Sequence, residues 1–187
     1  MSLVLGIDPG LAHTGWGVID PRDNRYRLVG HGVISTAPAS SPGARLDRLY
    51  TEVVAVLEHY RPAEAGVENL YFTKNTSSAI PVAQARGVVL LALERAGVHA
   101  AEYTPQAIKQ AIVGEGRAEK AQVQELLRVL LGVREVPAPD HAADALAAAV
   151  CHIHNLGFTE RAFPNAAAGG SRHGGSGGTG GGPRAAG

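Results

Sequence analysis

The sequence predicts an α/β protein built on a mixed five-stranded sheet flanked by helices. Two observations carry this. Residues 2–8, 14–20 and 26–36 are rich in Val, Ile, Leu, Trp and Tyr, and only Pro9-Gly10 and Asp20-Pro21-Arg22-Asp23-Asn24 interrupt them. Connections that short favour an antiparallel meander. Beyond Pro42, helical periodicity alternates with two more apolar runs, one ending at Glu68 and one over 97–103. Alternation of helix and strand is the mark of the α/β class.

The elements follow in order. Gly6, Gly15 and Gly17 fall inside the first two strands, where glycine marks a bulge or a close backbone approach. The loop Thr36 to Pro42 leads into a helix carrying Leu46, Leu49, Val53, Val56 and Tyr60 at helical spacing. Arg61-Pro62 ends it, since a residue before proline avoids the α region. After the strand ending at Glu68 come a polar loop and a helix over 76–96. Its Ala79, Ala83 and Gly87 form a small-residue face, read by default as intrachain packing and alternatively as a twofold contact. Thr104-Pro105 reads as an N-cap followed by a proline at the first helical position. That helix stops at Gly114-Glu115-Gly116. Residues 118–131 form an amphipathic helix with Val123, Leu126, Leu127 and Leu130 facing inward. The last helix spans roughly 140–155.

Length and composition bound the function. The 187 residues suffice for one domain with a real core, expected over 1–158, and a tail over 159–187. The tail is glycine-rich and reads as disordered, because it cannot bury enough apolar surface to offset its ordering entropy. Formal net charge is zero, which excludes a strongly basic DNA-coating protein but not a local basic face. The lone Cys151 cannot form an internal disulfide, and its Ala/Val surroundings suggest a buried thiol. No segment approaches a membrane span, so a cytoplasmic location is expected.

Four scattered residues carry the chemistry. Asp8 and Glu68 each end an apolar run, and such strand ends commonly present functional groups. His141 and Asp144 lie three apart on one helix face. Oxygen donors favour hard cations such as Mg2+ and Mn2+. Asp8, Glu68 and the neighbouring Asp140 also have plainer readings. Asp8 could hydrogen-bond the Pro9-Gly10 turn. Glu68 could simply solubilise a strand end. Asp140, after Pro139, reads as the N-cap of the last helix, which would turn its carboxylate toward backbone N–H groups.

Taken together, the motifs resemble the RuvC Holliday-junction resolvases. The resemblance rests on Leu5-Gly6-Ile7-Asp8-Pro9-Gly10, Thr14-Gly15-Trp16-Gly17, Val67-Glu68, Lys74-Asn75, Gln84-Ala85-Arg86-Gly87, Val113-Gly114-Glu115-Gly116, Ala118 through Val123, and His141 through Ala147. It covers nearly all of residues 3–155. It implies a ribonuclease H-like fold and a homodimeric endonuclease that needs Mg2+ or Mn2+, two ions per active site. That enzyme would nick four-way junction DNA symmetrically, leaving 5′-phosphate and 3′-hydroxyl ends, in recombination and repair. RuvA and RuvB branch-migration proteins are the implied partners.

By the same resemblance Asp8, Glu68, His141 and Asp144 are the expected catalytic and metal-binding residues. Many members carry Asp where His141 stands. Whether His141 ligates metal or acts as acid or base stays open. Lys109 and Lys120 match basic positions beside the family's site, and Tyr71 matches its base-wedging aromatic, with Lys74 close by. Phe72 could equally cover the core edge. Three alternatives remain: a nuclease of this fold acting on structured RNA, an actin-like ATPase or sugar kinase, and an inactive junction-binding module. The ATPase needs a duplicated domain for which the chain has no room.

Overall fold

The structure is a computed structural model that describes residues 2–22, 25–69, 76–135 and 140–162. Its elements are β1 (Val4–Asp8), β2 (His13–Arg22), β3 (Arg25–Ser35), α1 (Pro42–Tyr60), β4 (Glu64–Glu68), α2 (Thr76–Arg95), β5 (His99–Tyr103), α3 (Pro105–Val113), α4 (Lys120–Leu131) and α5 (Asp140–Ala162). The five strands form one sheet in the order β3-β2-β1-β4-β5. The first three are antiparallel, while β4 joins β1 and β5 joins β4 in parallel. The expected mixed five-stranded sheet is therefore the observed one.

Local chemistry sets the helix ends. The Ser41 hydroxyl caps α1 by accepting from the Ala44 N–H at 3.3 Å, with Pro42 in the first turn. Arg61 closes α1 in a left-handed conformation at φ 49°, since Pro62 bars it from continuing the helix. Thr104 caps α3 through the Ala107 N–H at 3.1 Å. Gly114 and Gly132 end α3 and α4 at positive φ, where glycine carries no Cβ penalty.

Alternation along β1 divides the core into two layers. Leu5 and Ile7 face α1 and α2 with Leu49, Val53, Leu57, Val89 and Leu93. Val4 faces the other way, among α3, α4 and α5 with Ile108, Leu127, Leu146 and Val150. Each such fully buried aliphatic side chain contributes roughly 1.5–3 kcal/mol of transfer free energy. On α4 the buried row is Val123, Leu127 and Leu131, while Leu126 is exposed. The inward face is thus rotated from the expected one, because spacing of four follows the face that meets α5 more closely than the full run of leucines does.

The long helix α5 is central. Ala142, Ala145, Leu146, Ala148 and Ala149 are fully buried against the sheet. The approach is so close that a Cβ on Gly6 would strike the Ala145 carbonyl, and one on Gly15 the His141 carbonyl. Gly17, Gly6 and Gly66 stand in register across β2, β1 and β4. The strand glycines are therefore the bed of a helix rather than bulges. α5 continues through Ala162, past the expected boundary at 158; the residues after it lie outside the described part of the chain.

Candidate active site

Parallel pairing of β1 with β4 puts Ile7 opposite Val67. The next residue on each strand, Asp8 and Glu68, therefore ends its strand side by side with the other, on the face turned to α5. The beginning of α5 crosses this end of the sheet and brings His141 and Asp144. Four residues from three distant segments thus share one end of the fold. The His141 Nδ1 lies 2.8 Å from Asp8 Oδ2. Lys120, first residue of α4, places its Nζ 3.2 Å from Asp144 Oδ2 and 3.2 Å from Asp140 Oδ2.

The turn after Asp8 is held without help from its carboxylate. The buried Thr14 hydroxyl donates to the Gly10 carbonyl at 2.7 Å and accepts from the Gly10 N–H at 3.2 Å. The plainer reading of Asp8 as a turn-forming side chain gives way to an interaction with His141. Asp140 also differs from expectation. It is the first residue of α5, and its carboxylate faces Lys120. Residues 136–139 lie outside the described residues.

Electrostatics set this end apart. Burial raises the Asp8 carboxyl above its ordinary value, opposed by His141. Glu68 is pushed up to about 8, first by burial and then by the neighbouring charges of Asp8 and Asp144, with Lys120 and Lys109 opposing. Burial pulls the Lys120 ammonium down, but Asp140 and Asp144 outweigh it and the net shift is upward. Glu68, Lys109, Lys120 and Asp144 line a cleft of about 180 Å³, with Ile108, Val123 and Ala147 among its apolar walls.

The donor set fits hard divalent cations. Burial first, and then the crowding of three carboxylates, push Glu68 up to about 8, and the crowding is a deficit of positive charge that a cation would relieve. No three of these four donors meet within 4.8 Å among the described residues. A single-ion cage needs such closeness, whereas a pair of ions about 4 Å apart spreads its ligands more widely.

Sequence reasoning missed two neighbours. His13 stacks on His141, ring centroids 5.6 Å apart, and its Nδ1 lies 3.1 Å from Ser35 Oγ. The β1–β2 register pairs Asp8 with Gly15, so His13, two residues away on the same face, was accessible from the hairpin pattern. Asp140 as a partner of Lys120 had no such signal. Arg86 pairs with Glu102 of β5. Cys151 is buried and free as expected, its thiol raised to about 11 by burial. Tyr71, Phe72 and Lys74 lie outside the described residues.

Comparison with known proteins agrees with this layout. The family model described as crossover junction endodeoxyribonuclease RuvC matches residues 4–152. The chain belongs to the RuvC family. It is 54% identical over 154 residues to RuvC of Treponema denticola, covering 82% of this chain and 86% of that protein. It is 53% identical over 151 residues to RuvC of Rubrobacter xylanophilus, covering 81% and 84%. The structure of Thermus thermophilus RuvC in complex with Holliday junction substrate superposes with a TM-score of 0.80 at 38% identity, over 83% of this chain and 95% of that one. The fold is RNase H-like and the protein is a nuclease. The RNA-directed and ATPase alternatives fall with this membership. Among the described residues, no helix is long and apolar enough to cross a membrane.

Proposed function

We propose that this RuvC-family endonuclease resolves four-way DNA junctions by paired, symmetric nicks, one from each protomer of a homodimer, at the site formed by Asp8, Glu68, His141 and Asp144. The observation that carries this reading is the meeting of those side chains beside Lys109 and Lys120 at one end of the sheet. Asp8, Glu68 and Asp144, with His141, would hold two Mg2+ or Mn2+ ions, which when bound activate a water and stabilise the departing 3′ oxygen.

The chain's own groups have distinct tasks. Asp8 fixes the His141 ring through Nδ1, which leaves the other ring nitrogen to ligate, or to hold a proton for the attacking water or the leaving oxygen. Lys109 and Lys120 flank the cleft where the scissile phosphate would lie. Lys120 now pairs with Asp140 and Asp144; were Asp144 to hold a cation, the Lys120 ammonium would be freer to meet phosphate. The cleavage products carry 5′-phosphate and 3′-hydroxyl ends. Tyr71 as the wedge at the junction centre, and Lys74 as a phosphate contact, rest on the sequence resemblance.

The dimer reading is supported by α2. Ala83 and Gly87 are exposed, and a Cβ on Gly87 would meet nothing, so the default of intrachain packing fails there. Ile80 and Leu91, 58% and 52% exposed, extend that face into an apolar stripe. A twofold axis through such a stripe gives two active sites at a fixed separation. RuvA and RuvB would deliver the junction, in the cytoplasm.

The test is nicking of an end-labelled synthetic four-way junction with each metal in turn. Paired cuts at related positions on two strands, absent from a linear duplex of the same sequence, are expected. Absence of cleavage with both Mg2+ and Mn2+, or equal cutting of the duplex, would overturn the proposal.

A further inference from the structure

A second group of ligand-type side chains lies at the opposite end of β4. Glu64 begins that strand and Glu68 ends it, so the two are separated by roughly 13 Å of strand rise. Parallel pairing sets Glu64 beside His99, the first residue of β5. His152 reaches the same point from α5, where it is almost fully buried. One carboxylate oxygen is shared by both rings. Glu64 Oε2 lies 2.9 Å from His99 Nδ1 and 3.1 Å from His152 Nε2. All three donor atoms lie within 4.8 Å of one another.

We propose that Glu64, His99 and His152 form a second cation site, taking a borderline divalent ion of the Zn2+ type and fastening α5 to the β4–β5 edge. The proposal goes beyond the nuclease reading and does not depend on it. Two imidazoles and one carboxylate are a ligand set suited to zinc and unlike the oxygen-rich set around Asp8. With bond lengths near 2.0–2.1 Å, a tetrahedral ion spaces its ligands by roughly 3.3 Å. The two oxygen-to-nitrogen separations already approach that edge.

The outer partner is present as well. His152 turns its other ring nitrogen, Nδ1, to the Tyr103 hydroxyl at 2.8 Å. A metal-bound histidine typically directs its second nitrogen to such a group, which fixes tautomer and ring plane. In the metal-free chain, Tyr103 donates to Nδ1, and Nε2–H donates to Glu64. On binding, the His152 proton moves from Nε2 to Nδ1 and Nδ1–H donates to Tyr103. His99 Nδ1–H likewise donates to Glu64 in the metal-free chain; on binding its proton moves to the outer Nε2 and the bare Nδ1 turns to the ion, so neither ring changes charge. The His99 side chain is 73% exposed, which leaves the fourth position open to water. Tyr103 is also the register partner of Glu68, so this cross-link abuts the strand end that carries the nuclease site.

Titration with Co2+ in the presence of excess Mg2+ reads the site directly. Wild type and Asp8→Asn should each show the intense visible bands of a single four-coordinate Co2+. His99→Ala and Glu64→Gln should lose those bands. Zn2+ at about 100 times its dissociation constant should raise the wild-type Tm by roughly 5–10 °C and leave His99→Ala unmoved. His99→Ala should nick junctions with Mg2+ at the wild-type rate. Bands that survive in both His99→Ala and Glu64→Gln, or that vanish only in Asp8→Asn, would overturn the proposal by assigning the ion elsewhere. So would a wild-type protein that binds no Co2+.

Discussion

The His141 imidazole and the Asp8 carboxylate meet at 2.8 Å, joining the first turn of α5 to the end of β1 across 133 positions of sequence. Asp8 is thus a candidate ligand and also the group that orients a second candidate. Asp8→Asn keeps a hydrogen-bonding oxygen but removes the charge. Loss of an outer-shell partner alone costs about 10–100-fold in metal affinity or activity, so removal of a central carboxylate should lower nicking by at least ~100-fold. Junction binding, measured by gel shift without metal, should be unchanged. A variant that cuts at the wild-type rate would remove Asp8 from the site.

Glu68 makes stability depend on pH. Its folded value of about 8 lies above the ordinary 4.5. A carboxyl raised on folding contributes stability that is fully present below the unfolded value and lost as pH rises through the folded one. The metal-free protein should therefore weaken between about pH 4.5 and about pH 8, by roughly 2–3 kcal/mol after allowance for solvent screening. Glu68→Gln should flatten that slope and melt higher than wild type above pH 8. Added Mn2+ should restore wild-type stability at high pH if the deprotonated Glu68 carboxylate is one of its ligands. Melts across this range, with and without Mn2+, measure both effects.

Lys120 separates affinity from chemistry. Its ammonium lies 3.2 Å from each of Asp140 and Asp144 in the absence of DNA. If it turns to phosphate in the complex, Lys120→Ala should lower the salt dependence of junction binding by about one unit of slope, whatever the sequence. Cleavage should fall further than affinity does. An unchanged salt slope would confine Lys120 to pairing with the two carboxylates.

Much of this was readable from residue order because it follows from local rules. The turn at Pro9-Gly10, the Thr104 cap and the Arg61-Pro62 stop are written in single residues, and each stands where the structure has it. Asp8 and Glu68 were visible as the polar ends of apolar runs. Interactions across long sequence separations were not. Nothing local says that Lys120 reaches Asp140, that His13 stacks on His141, or that His152 turns to Glu64. Those contacts depend on how α5 crosses the sheet. The inward face of α4 misled for a related reason, since Leu126 fits the amphipathic pattern and yet stands at its exposed margin.

That crossing is itself open to test at Gly6. An added methyl would run into the Ala145 backbone of α5, and backbone cannot rotate away as a side chain can. Gly6→Ala should cost ~3 kcal/mol, as overpacking does in a close-fitted core, and lower the Tm by roughly 6–12 °C. Nicking should suffer beyond the loss of folded protein, because α5 carries His141 and Asp144. Gly43→Ala in α1, where an added methyl meets nothing within 4 Å, is the control and should be near neutral.

If His141 ligates the ion, it should set the choice of metal. A carboxylate there would make the four-residue set wholly oxygen-donating and more negative, which suits Mg2+. An imidazole removes that charge and favours ions later in the divalent series. The wild-type enzyme should therefore turn over faster with Mn2+ than with Mg2+ at matched concentrations. His141→Asp should narrow or reverse the ratio, because it restores the oxygen donor while losing the ring that stacks on His13. Should His141→Asp lower both activities equally and leave the ratio untouched, the imidazole acts on protons rather than on the ion. A pH profile of the same variant would then show the lost acid or base limb.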